Sequence, residues 1–121
     1  MNTLVKVLLM LARLLFVIQL VLGVCIWFGV GGSLASVHIM VGPLFVLDAW
    51  LIALIALFAL PRRALPLLTL ALGGAIVWFG IAQQGMLVGS MHWAVRLVHL
   101  LLGVSMMGLL EAQAKAVITR R

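Results

Sequence analysis

Charge is scarce in this sequence: 8% of its 121 residues are Asp, Glu, Lys or Arg, and 67% are hydrophobic. A water-soluble domain carries about a quarter charged residues and roughly half apolar ones. This chain therefore has too few polar groups to clothe a surface in water, and soluble classes are excluded. Acids are scarcer still. Asp48 and Glu111 are the two acidic residues, which leaves no paired carboxylates for acid–base work. Neither a catalytic triad nor a glycine-rich phosphate loop is present, so any enzymatic role has to come through a bound cofactor. Cysteine occurs once, as Cys25 inside an apolar run. That excludes an intrachain disulfide, a thiolate metal cluster and redox work by paired cysteines, and Cys25 reads as a small hydrophobe.

What is abundant is apolar length. At about 20 residues per membrane-spanning helix, the hydrophobic positions supply four spans in one domain covering residues 1–121. A net charge of +6 would suggest nucleic acid in a soluble protein; here it reports topology, and no nucleic-acid partner is expected. Lys6 and Arg13, then Arg62 and Arg63, then Lys115, Arg120 and Arg121 form three basic clusters, while the segments around 30–36 and 83–91 carry no Lys or Arg. The clusters belong on the cytoplasmic side, with both termini, which suits a bacterial inner membrane. The run Leu14 to Val30 exceeds the roughly 7–15 residues of a signal-peptide core, so it is expected to span rather than be cleaved.

Glycine and proline divide the chain. Helix one is expected from Leu4 or Leu8 to Val30, stopped by Gly29, Gly31 and Gly32, with Ser33 or Ser36 capping helix two, which runs to Leu60. Pro61 ends that helix and Pro66 suits the first turn of helix three, from about Leu67 to Met86. Gly85, Gly89 and Ser90 separate it from helix four, about Met91 to Ala116. Short loops force antiparallel neighbours, so the expected fold is all-α: an integral membrane four-helix up-down-up-down bundle. Helices two and four are then parallel, placed diagonally. Gly73, Gly74 and Gly108 read as close-packing positions.

Ionisable groups within a span cost roughly 2.5–3.5 kcal/mol each on the insertion scale, so His38, Asp48, His92, Arg96 and His99 need reasons. Two internal echoes supply one. Ile26-Trp27-Phe28-Gly29 on helix one echoes Val77-Trp78-Phe79-Gly80 on helix three, in a different register from the second echo. The second is His-x-x-x-Gly, with His38 and Gly42 on helix two and His99 and Gly103 on helix four. His and Gly four apart share a helix face, and the absent side chain lets a large flat group approach beside the imidazole. Two opposed imidazoles can hold a haem iron axially, while Gly29 and Gly80 with their aromatics clamp the macrocycle. His92, Arg96, His99, Gly103 and Met106 form one stripe, with Arg96 placed to meet a haem propionate. Pro43 should bend helix two below His38, with Phe45 on nearly the same face.

The segment Val95-Arg96-Leu97-Val98-His99-Leu100 resembles the Arg-x-x-His segment of membrane b-type cytochromes, such as the cytochrome b subunits of hydrogenases. The diagonal use of helices two and four also resembles the haem-holding bundle of quinol-oxidising cytochrome b. The resemblance covers about a third of the chain. It implies haem b, electron transfer and contact with quinone or with subunits of a redox complex. One His on helix two excludes a two-haem bundle of the respiratory kind.

Which histidine faces His38 stays open. His99 lies about 10 Å deeper than His92, seven residues on at 1.5 Å each. Counting inward from the basic clusters favours His92; the shared motif favours His99, and the pair expected to hold the metal is His38 with His99. His92 is then a propionate or quinone partner, or a surface residue. Copper or zinc at His38 and His92 is a minor alternative. Asp48, near the midplane, is expected to pair with Arg13 or to relay protons, with Arg13 to Glu111 the other pairing; Glu111 with Lys115 reads as a helix-end pair. Trp50 lies too deep to be an interfacial anchor. The leading expectation is a haem b electron-transfer protein, alone as a homo-oligomer or as an anchor subunit, rather than a stand-alone enzyme. A small proton-coupled transporter using Asp48, and a cofactor-free structural subunit, are the alternatives.

Overall fold

A computed structural model describes residues 1–120 and contains four long helices: α1 (Asn2–Trp27), α2 (Leu34–Ala59), α3 (Ala64–Ala82) and α4 (His92–Thr119), with one 3₁₀ turn at Gln83–Gly85. Each helix, α3 taken with its 3₁₀ extension, is long and apolar enough to cross a membrane. The expected all-α bundle is what the chain forms. Cross-helix contacts give the directions. Asn2 meets Ile118, Arg13 meets Glu111 and Arg96 meets Trp27, so α1 and α4 run antiparallel. Neighbours pack in the order α1, α2, α3, α4 and back to α1, and α2 also meets α4 across the diagonal. One end of the bundle holds the termini and the α2–α3 turn; the other holds the two remaining connections.

The helix ends follow from local chemistry. α1 stops at Trp27, a turn earlier than the apolar run suggests, because Gly29 at φ +74° takes the left-handed position that closes a helix. Gly29 N–H donates to the Ile26 carbonyl at 3.0 Å and Val30 N–H to the Cys25 carbonyl at 2.9 Å, the paired bonds of a Schellman cap. Gly29→Ala should cost about 1 kcal/mol of stability, read from thermal unfolding in detergent, since a side chain there is strained. Leu60 is extended (φ −107°, ψ 143°) because the following Pro61 disfavours a helical residue before it. Pro66 falls in the first turn of α3, which starts earlier than expected, at Ala64. There its missing N–H forfeits nothing. Inside α2, Pro43 leaves the Ile39 carbonyl without its helical partner.

The core is densest toward the terminal end, where Val5, Leu9 and Ala12 of α1 meet Ala49, Ile52 and Ala56 of α2 and Met106, Leu110 and Ala114 of α4. Small residues on α2 let the helices close up. Two polar bonds tie α3 to its neighbours in this half. Gln113 donates to Thr69 between α4 and α3. The Trp50 indole N–H donates to the Leu70 carbonyl at 3.2 Å, which explains a tryptophan at this depth. Gly73 makes that possible, because a Cβ there would run into Trp50 Nε1 and Val46. Toward the other end the packing opens around a cavity.

Candidate functional site: a cavity between two facing histidines

His38 in the second turn of α2 and His99 in the second turn of α4 project from the diagonal pair into the bundle. Their ring centroids stand 6.2 Å apart with planes inclined at 58°. The ring that faces His38 is therefore that of His99, not His92. Between and around them lies a cavity of 650 Å³, within the range of ligand pockets, which run from about 300 to 1,000 Å³. Its walls are largely apolar, with Phe16, Phe45 and Val46 toward the dense half of the bundle and Leu20, Ile76 and Leu100 around the sides. Its polar groups collect toward the loop end, where Gln83, Gln84, His92 and Arg96 line it.

Each imidazole is seated over a glycine of the adjacent helix. A Cβ on Gly23 of α1 would stand 3.5 Å from His38 Cε1, and one on Gly80 of α3 would stand 3.3 Å from His99 Cε1. Each hairpin, α1–α2 and α3–α4, thus presents a histidine over a glycine, and the cavity lies between the two copies of that arrangement. Phe79 stacks on His99, with centroids 6.0 Å apart and planes inclined at 10°. In both histidines Nδ1 is buried without a hydrogen-bond partner, while Nε2 is not sealed in this way.

His38, His99, His92, Arg96, Gly42, Gly80 and Gly103 all line the one cavity. Gly29 does not. The Trp-Phe-Gly echo matched it to Gly80, but Gly29 sits beyond the end of α1 as its cap, and Gly23, almost two turns earlier, holds the position opposite Gly80. Gly42 also has a local role. A Cβ there would come within 2.8 Å of Gln19 Nε2, which donates to the His38 carbonyl at 3.0 Å. The glycine lets Gln19 of α1 reach the backbone of α2 and fix the turn that carries His38. Gln19 and Gly23 are the site residues that sequence reasoning missed; a lone amide in the apolar run of α1 was the available signal.

Arg96 reaches toward the Trp27 carbonyl at the end of α1, 3.5 Å away, where a cation complements the free carbonyls. Among the described residues it has no acidic partner. His92 Nδ1 donates to the Met86 carbonyl at 3.1 Å, so this ring braces the α3–α4 connection while lining the cavity. Asp48 lies off the cavity wall. It is 4% exposed, and both carboxylate oxygens are buried with no hydrogen-bond partner. Arg13 binds Glu111 instead, through Nε at 2.6 Å and Nη2 at 2.8 Å, so of the two pairings open to Arg13 the chain adopts this one. Glu111 accordingly faces Arg13 across two helices rather than serving only Lys115 on its own helix. Among the described residues no three His, Cys, Asp or Glu side chains come close enough to hold a metal ion by themselves.

Two opposed imidazoles, apolar walls and a cation at one end suit a flat, apolar group with a metal at its centre and anionic groups at its edge. No family model, curated protein or solved structure matches this chain.

Proposed function

We propose that this chain is a haem b electron-transfer protein of the membrane, with His38 and His99 as the axial ligands. The observation that carries the reading is the 6.2 Å between the two ring centroids. Two imidazoles at that separation, projecting into one cavity from parallel helices, leave room for a single metal ion between them. Two histidines are too few to close a site around a bare copper or zinc ion. They suffice for haem, whose macrocycle brings the other four nitrogens. Gly23 and Gly80 support the reading by leaving room for the rings to seat edge-on against their neighbours. Bound haem supplies one-electron redox chemistry.

The residues of the chain then have separable tasks. His38 and His99 would hold the haem iron from both sides, which would leave no open site for oxygen chemistry and would favour electron transfer. The Arg96 guanidinium, unpaired with any acid among the described residues, is available to a propionate, for which its fork geometry suits a bidentate bond. His92 lines the same end and can serve a propionate or a quinone. Phe16, Phe45 and Val46 keep water from the inner face. The basic residues Lys6, Arg62, Arg63, Lys115 and Arg120 gather at the terminal end, which supports a cytoplasmic side for that end by the positive-inside rule, with the histidines toward the opposite face. A bacterial inner membrane, with quinone or the subunits of a redox complex as electron partners, fits this placement. The transporter reading draws less support, since Asp48 is off the cavity wall.

Haem extracted from protein purified out of haem-replete cells should approach one per chain; protein recovered without haem overturns the proposal. Gly80→Leu should lower that content about tenfold or more by driving a side chain into the seat of His99, with helix content by circular dichroism unchanged. Arg96→Leu should keep most of the haem and shift its midpoint potential downward, because a positive charge near the edge favours the reduced, less positive iron.

A further inference from the structure

The Arg13–Glu111 pair lies on the outside of the bundle. The two side chains are 55% and 43% exposed, although Arg13 is two turns further into its helix than Lys6 and Glu111 one turn further than Lys115. Charged groups at such depth are expensive toward lipid, and in membrane proteins they face a protein interior or a water-filled cavity. Here they do neither within one chain. The surrounding face has a second property: Ser105, Gly108 and Ala112 on α4 are all exposed, and nothing lies within 4 Å of where a Cβ on Gly108 would stand. Their spacing puts them on one side of α4. On α1, Met10, Leu14 and Val17 are exposed and share one side of the helix.

We infer that the α1/α4 face is a dimer interface and that its occupant is a second copy of this chain. Charge complementarity points to a copy of itself. Within one chain Arg13 and Glu111 already pair, so the patch is neutral and self-complementary, and a two-fold axis along the membrane normal would bring each cation within reach of the other copy's anion as well. Gly108 and Ala112, four residues apart, allow two α4 backbones to approach closely, as small residues do between membrane helices. The ion pairs then lie at the border of a protein contact instead of in lipid. None of Arg13, Ser105, Gly108, Glu111 or Ala112 lines the histidine cavity. The dimer therefore stands or falls independently of the haem.

The test is oxidative crosslinking in native membranes with copper phenanthroline, in a Cys25→Ser background. Ala112→Cys should give a product of twice the chain mass. Leu51→Cys, exposed on α2 across the bundle, should stay at the mass of one chain. Adding Gly108→Leu to Ala112→Cys should lower the crosslinked yield about tenfold, since close approach of the two α4 backbones is blocked while the chain's own packing is untouched. Sedimentation of the unaltered protein in mild detergent should give two chains per particle. One chain per particle, no product from Ala112→Cys, an equal yield from Leu51→Cys, or crosslinks only to a different polypeptide would each overturn the inference.

Discussion

His38→Ala and His99→Ala should each reduce haem retention more than about 100-fold, because the proposed haem would lose one of the two side chains that hold its iron, with no third ligand grouped beside them. The absence is structural: among the described residues no third His, Cys, Asp or Glu completes a metal-binding group. His92→Ala provides the contrast. Its ring braces the α3–α4 connection through Met86 and does not face His38, so the variant should keep its haem and lose only a little stability. Absorption spectra of the three purified variants check this. Equal loss from His92→Ala and His99→Ala would mean that the 6.2 Å pairing is not the one that holds the iron.

Gly73→Leu should be the most damaging single change to the bundle itself. The backbone of α3 at this position leaves space for a Trp50 ring that also donates to the Leu70 carbonyl. Trp50 is an anchored indole rather than a flexible chain end, and Val46 blocks the other way out. Overpacking costs about 1–3 kcal/mol and the stranded indole N–H adds about 1–3 kcal/mol. A loss of about 2–6 kcal/mol follows, a large fraction of the stability of a marginally stable chain. Gly74→Leu is the control, since a Cβ at Gly74 meets nothing within 4 Å. Thermal unfolding of the two variants in the same detergent separates them, and equal melting temperatures would contradict the packing described for Trp50.

Most of the architecture could be read in the sequence because its signals are local. Four apolar runs, a Gly-rich stop after Trp27 and the Pro61–Pro66 turn locate the helices, and the remaining errors lie at their ends, where caps decide. Gly29 illustrates the limit. As part of a Trp-Phe-Gly echo it looked like a partner of Gly80, but a glycine just past an apolar run can serve as a cap as readily as a packing site, and only the backbone at φ +74° separates the two. The facing of His38 and His99 was visible through a repeated motif, because parallel helices place like positions at like depths. Gly23 and Gln19 were not visible. Their meaning depends on the register between α1 and α2, which no local pattern encodes. The same holds for Arg13, whose choice of Glu111 over Asp48 follows from which helix it flanks.

Asp48 remains the residue whose burial is hardest to reconcile with its chemistry. It is enclosed with neither oxygen partnered, so no hydrogen bond of the bundle depends on its charge. Asp48→Asn should then leave the haem spectrum in place, with little change in stability, whereas a transporter that bound proton and cargo there would lose its activity.

In the proposed site two imidazoles, from α2 and α4, hold one haem between them. Electron paramagnetic resonance of the oxidised, purified protein tests it most directly, because the spin state reports the axial ligands. A low-spin ferric signal of the bis-imidazole type, lost in both His38→Ala and His99→Ala, is the predicted result. A high-spin signal in the unaltered protein, or no haem signal from cells with ample haem, would contradict it.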